Sequence, residues 1–124
     1  MKIDHVTIRT GNLAKTKAFF ETVFGLVEKP RPKIIQRIPG HWLYNGKKPF
    51  VHLIGGYGNK TGFTTNAIDH VGFQLKDYKK FKQKLKKLKI QYSLMDIEEL
   101  QERRIFFKTP DGVLLETVFN EKIQ

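Results

Sequence analysis

Apolar and polar positions along this chain alternate with two periods, and the periods take turns. From His5 to Arg9 the period is two: Val6 and Ile8 fall on one side of an extended segment, and His5, Thr7 and Arg9 on the other. From Leu13 the period lengthens. Leu13, Thr16, Phe20 and Val23 recur at i, i+3, i+7 and i+10, the spacing of one helix face. Asn12 is placed to cap that helix and Gly25 to stop it. At a shift of 65 residues the succession returns. Val71, Phe73 and Leu75 alternate with His70, Gly72 and Gln74, and Tyr78, Phe81, Leu85 and Leu88 repeat the helical spacing behind a capping Asp77. Even the letters recur, as "IDHV" at 3–6 and again at 68–71. A fixed period of this kind is the mark of an internal duplication.

Extended segments follow each helix. In the first half they are "LVEKP", closed by Pro30 and Pro32, then "GHWLYNG", then "PFVHLIG". In the second half they are "IQYSLM", an acidic stretch from Asp96 to Glu102, "RRIFFKT" and, past the turn signal Pro110-Asp111-Gly112, "VLLETVF". The last two segments of each half read as a hairpin. Each half is therefore predicted to be βαβββ. The fold class is α+β: two βαβββ modules in tandem, residues 1–55 and 66–120, joined by a Gly-, Asn- and Thr-rich linker at 56–65 within a single domain, 1–124. Neither module is large enough to bury its own sheet face. The expectation is a curved, half-barrel mixed sheet with one helix behind each module and a hollow in front.

The polar sets on the strands belong in that hollow, because His, Thr, Arg, Gly and Gln do not build a core. The last strand of each half carries one polar interruption, His52 between Val51 and Leu53 and Glu116 between Leu115 and Thr117. Their separation is 64, one short of the repeat, and the hairpin loop is expected to absorb the difference. His5 thus corresponds to His70, and His52 to Glu116. Taken singly, a strand histidine is more often structural than metal-bound, and a lone Glu can simply mark a sheet edge. Together, three imidazoles and a carboxylate at corresponding places suit Zn, Fe, Mn, Ni or Co and leave coordination positions open for chemistry. His41 has no partner in the repeat and is read as surface.

Composition narrows the classes. There is no cysteine, which removes disulfides, thiolate zinc sites and a cysteine nucleophile. The first residues lack an apolar signal core, and no apolar run reaches bilayer length, so a cytoplasmic chain with no membrane partner is expected. Twenty-three Lys and Arg against 12 acidic residues give a net charge of +11, which favours an anionic partner. Eight of the lysines lie between Lys76 and Lys89. The aromatics there fall on the opposite side of the predicted helix, so the run reads as a solvated face and argues against nucleic acid, which is gripped by basic and aromatic residues on one surface.

The stretches "IDHVTIRTGNLAKTKAFFETVFGL", "GHWLYNGKKPFVHLI", "AIDHVGFQLKDYKKFKQKL" and "RRIFFKTPDGVLLETVF" resemble the vicinal oxygen chelate superfamily, which includes glyoxalase I, bleomycin-resistance proteins, fosfomycin-resistance enzymes, methylmalonyl-CoA epimerase and extradiol dioxygenases. The resemblance implies a divalent metal held by His5, His52, His70 and Glu116, with Glu116 also serving as catalytic base. It implies a small, chelating, anionic substrate and an enediolate or oxyanion intermediate, as in a lyase or isomerase. Arg9 and Gln74 are the candidates for holding the anion, Trp42 and Tyr44 for walling the pocket, and Arg104 for closing over it. A homodimer is also implied. Glyoxalase I has Glu where His52 stands, and this chain lacks the insertions of a glutathione pocket, which points away from glyoxalase I itself. The alternatives within the family are an extradiol-type dioxygenase and a metal-free protein that sequesters its ligand. A bleomycin-type ligand is cationic and would be repelled by a chain at +11.

Overall fold

A computed structural model describes residues 3–55 and 70–123. The chain divides into two compact units, Met1–Thr64 and Thr65–Gln124. The predicted linker at 56–65 lies outside the described residues, as do Ile68 and Asp69 of the second "IDHV".

The first unit is built from β1 (Val6–Arg9), α1 (Leu13–Phe24), β2 (Val27–Lys29), β3 (Gly40–Asn45) and β4 (Lys48–Ile54). Its sheet runs β1-β4-β3-β2, with β1 parallel to β4 and the other pairs antiparallel. The second unit repeats the order with β5 (Val71–Leu75), α2 (Tyr78–Lys87), β6 (Tyr92–Ile97), β7 (Glu102–Lys108) and β8 (Leu114–Phe119), as a sheet β5-β8-β7-β6 with β5 parallel to β8. The chain is thus α+β, two βαβββ modules in tandem, each with its own four-stranded mixed sheet. The acidic stretch becomes the end of β6, a 3-10 turn at Glu98–Leu100 and, at Glu102, the start of β7.

The helices form where their caps allow. The Asn12 side chain accepts from the Lys15 backbone N–H at 3.0 Å, and Gly25 ends α1 in the left-handed region at φ 68°, its own N–H returning to Glu21 O. Asp77 accepts from Lys80 N–H at 3.2 Å at the start of α2. Thr10 and Thr16 share a buried hydroxyl bond of 2.7 Å, which fixes the exit of β1 against the first turn of α1.

One face of each helix is buried. Thr16, Phe20 and Val23 of α1 are buried, as are Ile8, Leu43, Val51 and Leu53 of the sheet, all 5% exposed or less. On α2, Tyr78 and Phe81 meet Phe119 at ring separations of 5.5 and 5.7 Å, and Phe81 meets Phe107 at 5.8 Å. Each large side chain so buried contributes about 1.5–3 kcal/mol. Leu88, read as the fourth core position, is 36% exposed, because the helix ends at Lys87 and Leu88 is its C-cap. Lys79, Lys80, Lys86, Lys87 and Lys89 are exposed, so the charge run is a solvated face, and its last-turn lysines complement the helix dipole. Among the described residues no helix is long and apolar enough to cross a membrane.

Candidate functional site

Strand pairing shows which side chains share the face away from each helix. In the first unit Thr7 pairs with His52 and His52 with Trp42. In the second, Gly72 pairs with Glu116 and Glu116 with Phe106. Thr7 and Gly72 are 65 apart, so His52 and Glu116 occupy the same register point of the two sheets. The hairpin is not what absorbs the missing residue. His52 stands ten residues after its partner Trp42, and Glu116 ten after Phe106. The one-residue difference arises earlier, between β1 and β3 in the first unit and between β5 and β7 in the second.

In the first unit the His52 ring lies between two others. The His5 ring stacks on it at 3.9 Å and the Trp42 ring at 4.2 Å, each inclined by 13°. Burial, with the neighbouring His5, pushes the His52 pKa below its ordinary value and keeps the ring neutral. His52 Nε2–H donates to the Pro49 carbonyl at 3.1 Å, which leaves the Nδ1 lone pair available. His5 Nδ1–H donates to Asp4 Oδ2 at 2.8 Å, which leaves Nε2 available. That bond holds the Asp4 carboxyl below the usual range. An imidazole steadied by a carboxylate on its far nitrogen is the usual support for a metal-ligating histidine.

In the second unit Glu116 is 5% exposed, on an otherwise apolar strand. His70 Nε2 lies 2.8 Å from its Oε2. Its Oε1 lies 2.9 Å from Arg104 Nη1, but it accepts no aligned hydrogen bond. The contact is Coulombic more than directional. Arg104 also donates to Glu102 Oε1 at 2.6 Å, and that bond, with Glu116 nearby, raises the guanidinium's pKa. The Phe106 ring meets His70 edge-on at 6.2 Å. Gly72 leaves the carboxylate uncrowded, since a Cβ there would come no closer than 3.6 Å to Oε2.

The fold thus brings His5 together with His52 and Trp42, and His70 together with Glu116 and Arg104. Among the described residues, no group of three or more His, Cys, Asp or Glu is placed to hold a metal ion. The first unit supplies two imidazoles, each with a lone-pair nitrogen, and the second a histidine and a buried carboxylate with spare acceptor capacity, donor types that fit a divalent cation. Arg9 and Gln74 lie on the same faces at exposed positions. Tyr44 follows a register shift at Leu43/Tyr44 and carries Lys29 Nζ over its ring at 5.0 Å.

Three features escaped the sequence reading. Phe106 is the counterpart of Trp42, visible only once the offset of 64 is applied to the third strand. Glu102 belongs to an acidic stretch that looks like a loop. His41 lies on the helix side of β3, where its Nδ1 bonds Glu28 Oε2, while Lys17 of α1 reaches Glu28 Oε1 at 3.0 Å. His41 is half-buried and hydrogen-bonded to Glu28, where the sequence suggested open surface.

A model of the Glyoxalase/Bleomycin resistance protein/Dioxygenase superfamily matches residues 2–117. No curated protein matches significantly. Among solved structures, a protein of the glyoxalase family from Bacillus anthracis is 25% identical, with 98% of this chain and 96% of that one covered and a TM-score of 0.78. A glyoxalase/dioxygenase from Nostoc punctiforme is 15% identical over 98% and 92%, with a TM-score of 0.81. The genomically encoded fosfomycin resistance protein FosX from Listeria monocytogenes, complexed with Mn(II) and sulfate, is 19% identical over 95% and 91%, with a TM-score of 0.68. With its duplicated βαβββ units and the family match over nearly its whole length, this chain belongs to the Glyoxalase/Bleomycin resistance protein/Dioxygenase superfamily.

Proposed function

We propose that this protein is a metal-dependent lyase or isomerase acting on a small, anionic, chelating substrate. The cation's ligands are His5, His52, His70 and Glu116, the two pairs making one set within a chain or across a homodimer. The observation that carries this reading is the matching register of His52 and Glu116, each with a histidine from the strand opening beside it. The FosX structure with Mn(II) supports a divalent cation in this fold. When bound, the cation would supply Lewis-acid polarisation of a substrate oxygen.

The remaining work falls to side chains. Glu116 is the base, taking a proton from the carbon next to the polarised oxygen. Burial keeps water from that carboxylate, and His70 Nε2, 2.8 Å away, orients it. The depressed pKa of His52 keeps its nitrogen unprotonated at neutral pH, so no proton has to leave before it can act as a ligand. Arg9 and Gln74 bind the substrate's anionic group, Trp42 and Tyr44 form an apolar wall, and Arg104 closes over the pocket. The net charge of +11 draws such a substrate in.

The test is a screen of α-keto, hemithioacetal, catechol and epoxide compounds with metal-loaded wild type and Glu116→Gln. Turnover in wild type should be lost in Glu116→Gln by about 10²-fold or more, with the circular dichroism spectrum retained. Full activity in Glu116→Gln removes it from the base role. Tight ligand binding with no turnover in wild type assigns the fold to sequestration instead.

A further inference from the structure

Arg104 does more than stand near Glu116. Its guanidinium spans two carboxylates on one face of the second sheet, Nη2 to Glu102 Oε1 at 2.6 Å and Nη1 to Glu116 Oε1 at 2.9 Å. The two grips differ. The bond to Glu102 is aligned, and the contact to Glu116 is not. Arg104 Nε is buried without a hydrogen-bond partner, so the fork is not locked in place. Glu116 is the deeper carboxylate, with its side chain 6% exposed against 20% for Glu102. A buried carboxylate without a neighbouring cation is costly, and Arg104 meets that need.

Resting on the reading of Glu116 as a cation ligand, we propose that Arg104 is a resident counter-cation that competes with the divalent cation for Glu116 and is handed over to Glu102 when the cation binds. A dication and a guanidinium cannot share one carboxylate oxygen without strong repulsion. Glu102 makes the exchange cheap, because the displaced guanidinium keeps a charged partner. The arrangement holds Glu116 ordered before the cation arrives and sets how tightly the cation is bound.

The competition has a signature that loss of a structural contact does not produce: removing Arg104 improves binding. Calorimetric titration with Mn²⁺ alone is the measurement, on wild type, Arg104→Gln, Glu102→Gln and Lys108→Gln. Lys108 shares the strand and face of Arg104, and its substitution removes the same charge, so it reports the general field. Arg104→Gln should bind Mn²⁺ about tenfold tighter than wild type, the equivalent of one ion-pair competition relieved. Lys108→Gln should change affinity by less than about threefold, as expected of an exposed, screened charge. Glu102→Gln, which confines Arg104 to Glu116, should weaken binding. Arg104→Met keeps the aliphatic stem and should show the same tightening if the Gln variant folds poorly. Arg104→Gln and Arg104→Met binding no tighter than Lys108→Gln, while wild type binds Mn²⁺ normally, overturns the competition and leaves the ligand assignment standing. A wild type that takes up no Mn²⁺, Co²⁺ or Zn²⁺ overturns the ligand assignment and the competition with it.

Discussion

At Gly40 the backbone of β3 comes so close to β4 that a Cβ would stand 2.0 Å from the Leu53 carbonyl oxygen. Backbone cannot swing aside as a side chain can, so Gly40→Ala must part the two strands that hold Trp42 against His52. We expect a loss of about 1–3 kcal/mol in urea denaturation. Gly72→Ala, whose Cβ meets only Glu116 Oε2 at 3.6 Å, should cost less than about 1 kcal/mol. At this scale the sequence was informative where chemistry and period disagreed. His5, His52, His70 and Glu116 stood out because each breaks or borders an apolar alternation. His41 did not stand out as a buried partner, because its pairing with Glu28 joins β3 to β2 across 13 residues and no local period records it. Glu102 and Arg104 are two apart on one strand, the spacing that puts them on one face, but their bond became visible only when the acidic stretch proved to run into β7.

The elements are held together by contacts of the same long-range kind. Lys17 on α1, Glu28 on β2 and His41 on β3 form a polar clasp on the helix side of the first sheet. Burial would raise the Glu28 pKa, but the hydrogen bonds from Lys17 and His41 outweigh it and hold the carboxyl below its usual 4.5. A carboxylate depressed in the folded state stabilises fully above its unfolded value, and that stability is lost as pH falls through the folded value. The stability gap between wild type and Glu28→Gln should therefore be widest above about pH 5 and close progressively below the ordinary 4.5. Urea midpoints measured from about pH 7 to about pH 3 would read this; a gap that widens on acidification would contradict it. The helices and most strands were legible because their caps and periods agree, as at Asn12 and Gly25. Their exact ends were not, and Leu88 went from expected core to exposed cap because α2 stops a residue earlier than its apolar spacing. The one-residue offset between the halves is legible in the sequence but its place is not, since periodicity fixes which residues share a face and not which connection carries an insertion.

On the scale of the molecule, the duplication is the feature from which the rest follows. Two sheets of the same order, each with a parallel pair between its first and last strands, bring corresponding residues to corresponding points. Sequence periodicity could find that correspondence because each half repeats it independently. The contacts around the candidate site were beyond its reach: the hydrogen bonds of Pro49 to His52 and Asp4 to His5, and the ion pair of Arg104 with Glu116, are matters of rotamer and register. The proposed function rests on one claim, that His5 and His52 from one unit and His70 and Glu116 from the other serve a single cation. Titration with diamagnetic Zn²⁺, followed through the imidazole ring nitrogen resonances of all four histidines, tests this most directly, because a large nitrogen shift reports direct ligation. The account predicts that His5, His52 and His70 shift together and saturate at about one equivalent per chain, that the His41 nitrogens stay in place, and that Glu116→Gln suppresses all three shifts at once. Shifts of the first-unit pair and of His70 at separate stoichiometries, or survival of the full effect in Glu116→Gln, would contradict it.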